Sequence, residues 1–313
     1  MNKTKCITAC TLFFLFLLLI SPQLSFASAK NGLLLWFNTV VPTLLPFFIL
    51  SNFMIYFKIT SFISRIFAPF LCPILNLSPN ACYPVVIGML SGYPLGAKTC
   101  NDFVEEHFIS KSEADNLILL CNNASPMFLT YYVSCYCLHA EDKQYLYYSI
   151  VMFSSLLSFI LFRFIFPSSV KHQISYKTTP VLPDVKTNFL LFLDNAILNS
   201  ATILVKVGGY IILFSILANH IMSIPFLPLH IKSFLAAVFE LTIGTYSIST
   251  LPSLSYEIKT ALILSLTSFG GFSALLQTKS VILSSRLSIK RYFFGKCISA
   301  LLTYLMVLLS FYF

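Results

Sequence analysis

The chain has 313 residues, 57% of them hydrophobic and only 10% charged, with a mean hydropathy of +0.84. A soluble domain of this size needs a far larger charged surface, so that class is excluded. The net charge of +9 falls between apolar stretches, which sets nucleic acid aside and makes the lipid bilayer the expected partner.

A hydrocarbon core takes about 20 apolar residues per helix. Membrane segments are expected over residues 6–20, 33–57, 66–77, 83–97, 117–138, 145–166, 201–219, 233–251, 261–277 and 297–313. The fold class is therefore an all-α polytopic integral membrane protein of about eight to ten segments, some of them broken or re-entrant. Segment 66–77 carries Pro69 and Pro73 and suits a half-helix. Residues 1–31 read as a signal anchor or a signal peptide. Lys3 and Lys5 precede an apolar run, and Ala27-Ser28-Ala29 resembles a cleavage site. Retention as an anchor is preferred.

Lysine and arginine counts set orientation. Lys3, Lys5, Lys58, Arg65, Lys98, Lys111, Arg163, Lys171, Lys177 and Lys186 fall inside, and Lys30 and Lys143 outside. Simple counting would put Lys279, Arg286, Lys290, Arg291 and Lys296 outside. A re-entrant hairpin around Gly270-Gly271 is expected to return them to the inside. Residues 168–188, with Pro180 and Pro183, form a polar cytoplasmic linker between a first half (32–167) and a second half (189–313). The stretch 46–50 echoes 209–213, and Gly92-Tyr93-Pro94 echoes Gly271-Phe272-Ser273. An inverted repeat is the expected organisation, as in secondary transporters with midplane sites.

Two motifs interrupt apolar runs: Ser91-Gly92-Tyr93-Pro94-Leu95-Gly96-Ala97-Lys98 and Asn122-Asn123-Ala124-Ser125-Pro126. Backbone groups freed in lipid must find partners inside protein, so such breaks mark buried or cavity-lining positions. The candidate substrate-binding residues are Ser91, Gly92, Tyr93, Pro94, Gly96, Asn122, Asn123, Ser125, Pro126, Gly270, Gly271 and Gln277. The plainer readings are an interfacial turn, an interhelical hydrogen bond and glycine packing. Lys206 and Glu240 are the charges most clearly within spans and the candidate ion-coupling residues, as a pair or through Glu240 alone. Lys206 near a helix end also suits snorkelling.

Glu105, Glu106, Glu113 and Asp115 read as a solvated cytoplasmic helix, with Ser112 and Asp115 as a capping arrangement. Nine cysteines in mainly apolar surroundings are not a disulfide framework. Of Cys135, Cys137 and His139, only Cys135 and His139 share a helix face, too few ligands for a metal centre. The chain shows no Ser-His-Asp order, HExxH, P-loop or GxGxxG, so neither an enzyme nor a cofactor is expected.

These motifs resemble the YlbJ-type sporulation integral membrane proteins, which stand with the nucleoside-recognition Gate domain membrane proteins. The likeness runs over roughly residues 32 to 300. It rests on Gly32 to Phe37, Val41-Pro42, Leu45 to Phe48, the Ser91–Lys98 string, Ser112-Glu113-Ala114 and the Asn122–Pro126 string. In the second half it rests on Val207 to Tyr210, Glu240-Leu241-Thr242 with Gly244, and Phe269 to Ser273 with Gln277. The second string departs from the Asn-x-Ser-Gly-Pro form of the family. The resemblance implies a role in endospore formation linked to the spore cortex. It also implies a bacterial inner-membrane location, with a membrane around the forespore as one setting. The expected function is transport of a small polar solute, nucleoside-like, or an ion. The alternative is a scaffold recruiting cortex-assembly proteins through residues 99–115 and the linker. A homo-oligomer and sporulation protein partners are left open.

Overall fold

The computed structural model describes residues 3–57, 59–167 and 189–312. The expected linker, residues 168–188, and Lys58 lie outside the described residues. The described chain is helical throughout its regular structure, in the order α1 (Lys3–Ile20), α2 (Pro22–Leu35), α3 (Val41–Tyr56), α4 (Ile59–Leu75), α5 (Cys82–Ser91), α6 (Leu95–Glu105), α7 (Lys111–Cys121), α8 (Gln144–Ile165), α9 (Phe189–Ser223), α10 (Leu229–Phe239), α11 (Leu241–Ser249), α12 (Tyr256–Phe269), α13 (Gly271–Val281) and α14 (Ile289–Leu309). Two wide-turn helices, Trp36–Val40 and Phe128–Cys137, add to these. The protein is an all-α polytopic membrane protein.

Five stretches are long and apolar enough to cross a bilayer: Pro22–Tyr56, Glu141–Ile165, Phe189–Ser223, Tyr256–Val281 and Ile289–Leu309. A sixth candidate, Ile59–Leu75 with Pro79–Ser91, is bent by 106°. At 1.5 Å per residue the 35 residues of α9 run about 52 Å, well beyond a hydrocarbon core of about 30 Å. The Ala27-Ser28-Ala29 triplet lies inside α2, which packs along α9. Trp36 fixes that pairing, donating from Nε1 to Leu204 O at 2.8 Å and covering Gly208 with its ring.

Other expected spans are hairpins. A Cβ placed on Gly96 would lie 3.1 Å from the Cα of Gly88, eight residues earlier. In a continuous helix those positions stand about 12 Å apart. So α6 folds back across α5, with its tip at Gly92-Tyr93-Pro94. A Cβ on Gly244 would meet the Cα of Ala237 at 2.0 Å, so α11 folds back on α10 around Glu240. Residues 83–97 and 233–251 are thus re-entrant hairpins rather than single crossings.

The re-entrant hairpin expected around Gly270-Gly271 is corrected. Gly270 adopts φ +89°, which only glycine takes at little cost, yet α12 and α13 form one candidate span, Tyr256–Val281. Each half therefore runs hairpin, broken helix, long helix: α5/α6, α7 with Phe128–Cys137, α8; then α10/α11, α12/α13, α14. The hairpin tip at Gly92 to Pro94 corresponds in this order to Glu240, not to Gly271 to Ser273.

One end of the molecule is tied by side chains. Glu113 accepts from Ser78 N (2.7 Å) and Ser78 Oγ (3.0 Å). Asp115 accepts from Ser288 N (2.7 Å) and pairs with Arg291 at 3.8 Å. Asn101 Oδ1 accepts from Ser284 Oγ, Ser285 N and Ser285 Oγ. Arg163 donates to Leu75 O, and Arg291 lies over the Phe166 ring. The loop after α13 thus sits at the same end as the α6–α7 connection, tied through Asn101 and Asp115. Two expectations change here. Glu113 and Asp115 are buried rather than solvated, because these loops need acceptors. The α7 cap is Ser110, whose Oγ accepts from Glu113 N at 3.1 Å, not Ser112.

Candidate functional site

A cavity of about 360 Å³ lies where the interrupted helices meet. Four breaks send residues into its wall: Ser91 and Tyr93 from the first hairpin, Ser125 from the break after α7, Glu240, Leu241 and Thr242 from the second hairpin, and Gly270 from α12/α13. The wide-turn helices line it too, through Asn38, Thr39 and Val40 on one and Phe128, Tyr131 and Tyr132 on the other. Wide turns of this kind leave unevenly paired backbone and recur at functional sites. Ser273 and Gln277 of α13 close a further side, Gln277 Nε2 donating to Ser273 Oγ at 3.1 Å.

The geometry follows from local chemistry. Gly92 has φ +79°, and a Cβ there would strike Ser125 N at 2.6 Å. Only glycine lets the first tip approach the second break so closely. Tyr93 N then donates to Asn123 O at 2.7 Å, satisfying one freed group on each side. Across the halves, the Tyr132 hydroxyl donates to Thr242 O at 2.8 Å. Glu240 is 4% exposed and caps α11, its Oε2 accepting from Ile243 N at 2.8 Å. It is the only charged side chain among the described lining residues.

Of the sequence-derived candidates, Ser91, Tyr93, Ser125, Glu240, Gly270 and Gln277 are brought together around this cavity. Gly92, Pro94, Gly96, Pro126 and Gly271 shape the breaks behind it. Gly271 lets the end of α10 approach, with Val238 O and Ala237 O at 3.3 and 3.4 Å from a Cβ placed there.

Asn122 and Asn123 stand outside the lining and hold the wall together. Asn122 Nδ2 donates to Thr278 Oγ1 and to the Tyr292 hydroxyl, both at 2.8 Å. Asn122 Oδ1 accepts from Ala97 N at 3.3 Å, and the Tyr292 hydroxyl donates to Asn122 O at 3.1 Å. Asn123 Nδ2 donates to Leu120 O at 2.7 Å, and Asn123 Oδ1 accepts from Lys296.

The Lys206–Glu240 pair is corrected. Lys206 is on an exposed face of α9, next to the cavity-lining Val207. The ion pairs within 4.0 Å among the described residues are Lys98–Asp102 and Asp115–Arg291. Among the described residues the buried lysine is Lys296, 2% exposed. Sequence reading placed it in a basic loop because the last span was begun at Cys297. Ser288 caps α14, its Oγ accepting from Arg291 N at 3.3 Å. That cap starts the helix at Ile289, eight residues earlier, and carries Lys296 into the span. Asn38, Thr39, Thr43, Tyr131, Tyr132 and Thr242 were also missed. Their signal was polar or phenolic groups within apolar runs, too common alone to single out.

Among proteins of known type, the chain is 28% identical to the Sporulation integral membrane protein YlbJ of Bacillus subtilis (strain 168), over 95% of this chain and 81% of that protein. The chain is thus similar to a YlbJ-type sporulation integral membrane protein. No family model matches it, and no solved structure matches it.

Proposed function

We propose that this chain is a transporter or permease of a small polar solute, nucleoside-like, or an ion, used in spore cortex formation. It acts without enzymatic chemistry in the bacterial inner membrane, including a membrane around the forespore. One observation carries the reading: the interruptions at Ser91–Tyr93, Ser125, Glu240 and Gly270 open onto one cavity. Broken helices around a shared polar chamber are how transporters expose backbone and side-chain groups to a solute inside a bilayer. A volume of about 360 Å³ falls in the range of small-molecule sites. Tyr93, Tyr131, Tyr132 and Phe128 supply ring faces, and Ser91, Asn38 and Gln277 supply donors and acceptors. A rocking of one half against the other, with the tips of the two hairpins parting, would give alternating access.

The test is solute flux in proteoliposomes across a panel of nucleosides and ions. Uptake of at least one member that Gln277→Leu or Tyr93→Ala weakens, with membrane levels intact, supports the reading. Absence of flux for the whole panel ends it. The scaffold alternative has less to stand on. Thr99, Asn101, Phe103, Glu113 and Asp115 of its first docking stretch are buried, and the linker lies outside the described residues.

A further inference from the structure

A column of rings leads away from the cavity. Phe128, Tyr132 and Tyr136 stand four residues apart on the wide-turn helix Phe128–Cys137, so their rings fall along one face. Phe128 and Tyr132 stack with 5.1 Å between centres and 25° between planes, and Tyr132 and Tyr136 with 5.6 Å and 23°. Tyr246 of α11 continues the column, stacked on Tyr136 at 6.0 Å and 22°. Phe128 and Tyr132 line the cavity. Tyr136 and Tyr246, at the far end of the column, are 53% and 49% exposed.

The column points to the end of the molecule opposite the Asn101 and Asp115 ties. Helix α14 starts beside Asp115 and runs 21 residues, about 31 Å, before Phe311 meets Lys143 and Tyr256. Tyr136 precedes the loop that carries Lys143, and Tyr246 precedes the loop that leads to Tyr256. The column also follows the seam between the halves, since the wide-turn helix belongs to the first and α11 to the second. The Tyr136–Tyr246 stack and the Tyr132 hydroxyl on Thr242 O (2.8 Å) join them there. A belt of interfacial tyrosines accounts for exposed hydroxyls, but not for a stack that joins two helices and reaches a cavity.

We propose that Tyr136 and Tyr246 form the gate between the cavity and that end, and that the gate selects solutes carrying a flat ring. The inference rests on the transport reading and names the gate and the selectivity of its site. Rocking of the halves draws α11 from the wide-turn helix and separates the stack. A flat ring passing through takes up each ring face as it is released, so the contact is exchanged rather than lost. A solute without such a ring leaves the faces bare. One aromatic contact sets the difference, a factor of roughly 2 to 12 in rate.

The test is uptake into proteoliposomes of uridine against 5,6-dihydrouridine, whose base keeps its polar groups but loses its flatness. The wild type carries uridine roughly 2- to 12-fold faster at saturation. Tyr136→Leu and Tyr246→Leu each bring the ratio to near one, and Tyr136→Phe, which keeps the ring, retains it. A packing role would slow both solutes alike. Tyr136→Cys combined with Tyr246→Cys and bridged by a short dimaleimide loses uptake at least tenfold, while neither change alone responds to the reagent. Equal uptake of the two solutes by the wild type overturns the selection, and that comparison stands even where a variant does not fold. A ratio that survives both leucine changes overturns it as well, as does carriage of a panel ion with neither nucleoside. Uptake that persists through the cross-link overturns the gate and leaves transport standing. Absence of flux for every solute and ion of the panel ends the transport reading, and the gate with it.

Discussion

Replacing Asn122 by alanine separates a wall-building carboxamide from a ligand-binding one. Asn122 is fully buried and makes two donor contacts at 2.8 Å, to Thr278 and Tyr292, and one acceptor contact at 3.3 Å, from Ala97 N. Side-chain hydrogen bonds between membrane helices average about 0.6 kcal/mol and reach about 1.7 kcal/mol. The two short contacts are therefore worth about 1–3 kcal/mol together. The small void and the stranded Ala97 N–H add about 1 kcal/mol. The expected loss is about 2–4 kcal/mol, read by SDS titration of the purified protein in mixed micelles. A double-mutant cycle with Thr278→Val should return a coupling of about 0.6–1.7 kcal/mol. A loss under about 0.5 kcal/mol, smaller than one average bond of this kind, would refute the reasoning. So would unchanged stability with weakened solute affinity, since the carboxamide would then face the ligand rather than Thr278 and Tyr292.

Three further outcomes are expected. Gly96→Ala puts a methyl 2.0 Å from Cys121 O and 3.1 Å from the Cα of Gly88, backbone that no rotamer change can relieve. It should cost about 1–3 kcal/mol or more by the same titration, while Gly209→Ala, with nothing within 4 Å, should stay within about 0.5 kcal/mol. Lys296→Met leaves only a carboxamide oxygen unpaired and should cost about 1–3 kcal/mol. Asn123→Leu strands a buried ammonium and should cost about 3–5 kcal/mol, so equal losses would contradict the contact. Lys206→Met should change stability by no more than about 0.5 kcal/mol and leave proteoliposome flux intact, because its side chain is exposed on α9. A lost flux would restore the pairing with Glu240.

Much of the site was legible because breaks in lipid carry a strong local signal. Glycine, proline and carboxamides inside apolar runs are costly unless something compensates, and Ser91, Tyr93, Ser125, Gly270 and Gln277 do meet at one cavity. The Asn122-Asn123 pair shows the limit of that signal. A carboxamide offers the same donors and acceptors to a solute as to Thr278, Tyr292 and Lys296, and composition cannot say which it meets. The Gly270-Gly271 break was legible as a break but not as a bend, because a left-handed glycine is compatible with either path.

By itself the sequence determined the solvent class, the all-α architecture and the places where helices stop. Those depend on hydropathy and on backbone freedom, which are properties of a residue and its neighbours in the chain. Only the tertiary structure decided which interrupted segments fold back and which run on. It also placed Lys296 inside the bundle and Lys206 outside, and left Glu240 in the cavity without a cationic partner among the described residues. Each of those outcomes depends on the other helix that a face meets. Helices in lipid choose their neighbours by close packing and satisfied hydrogen bonds rather than by hydrophobicity, and hydrophobicity is the quantity a membrane sequence displays most plainly.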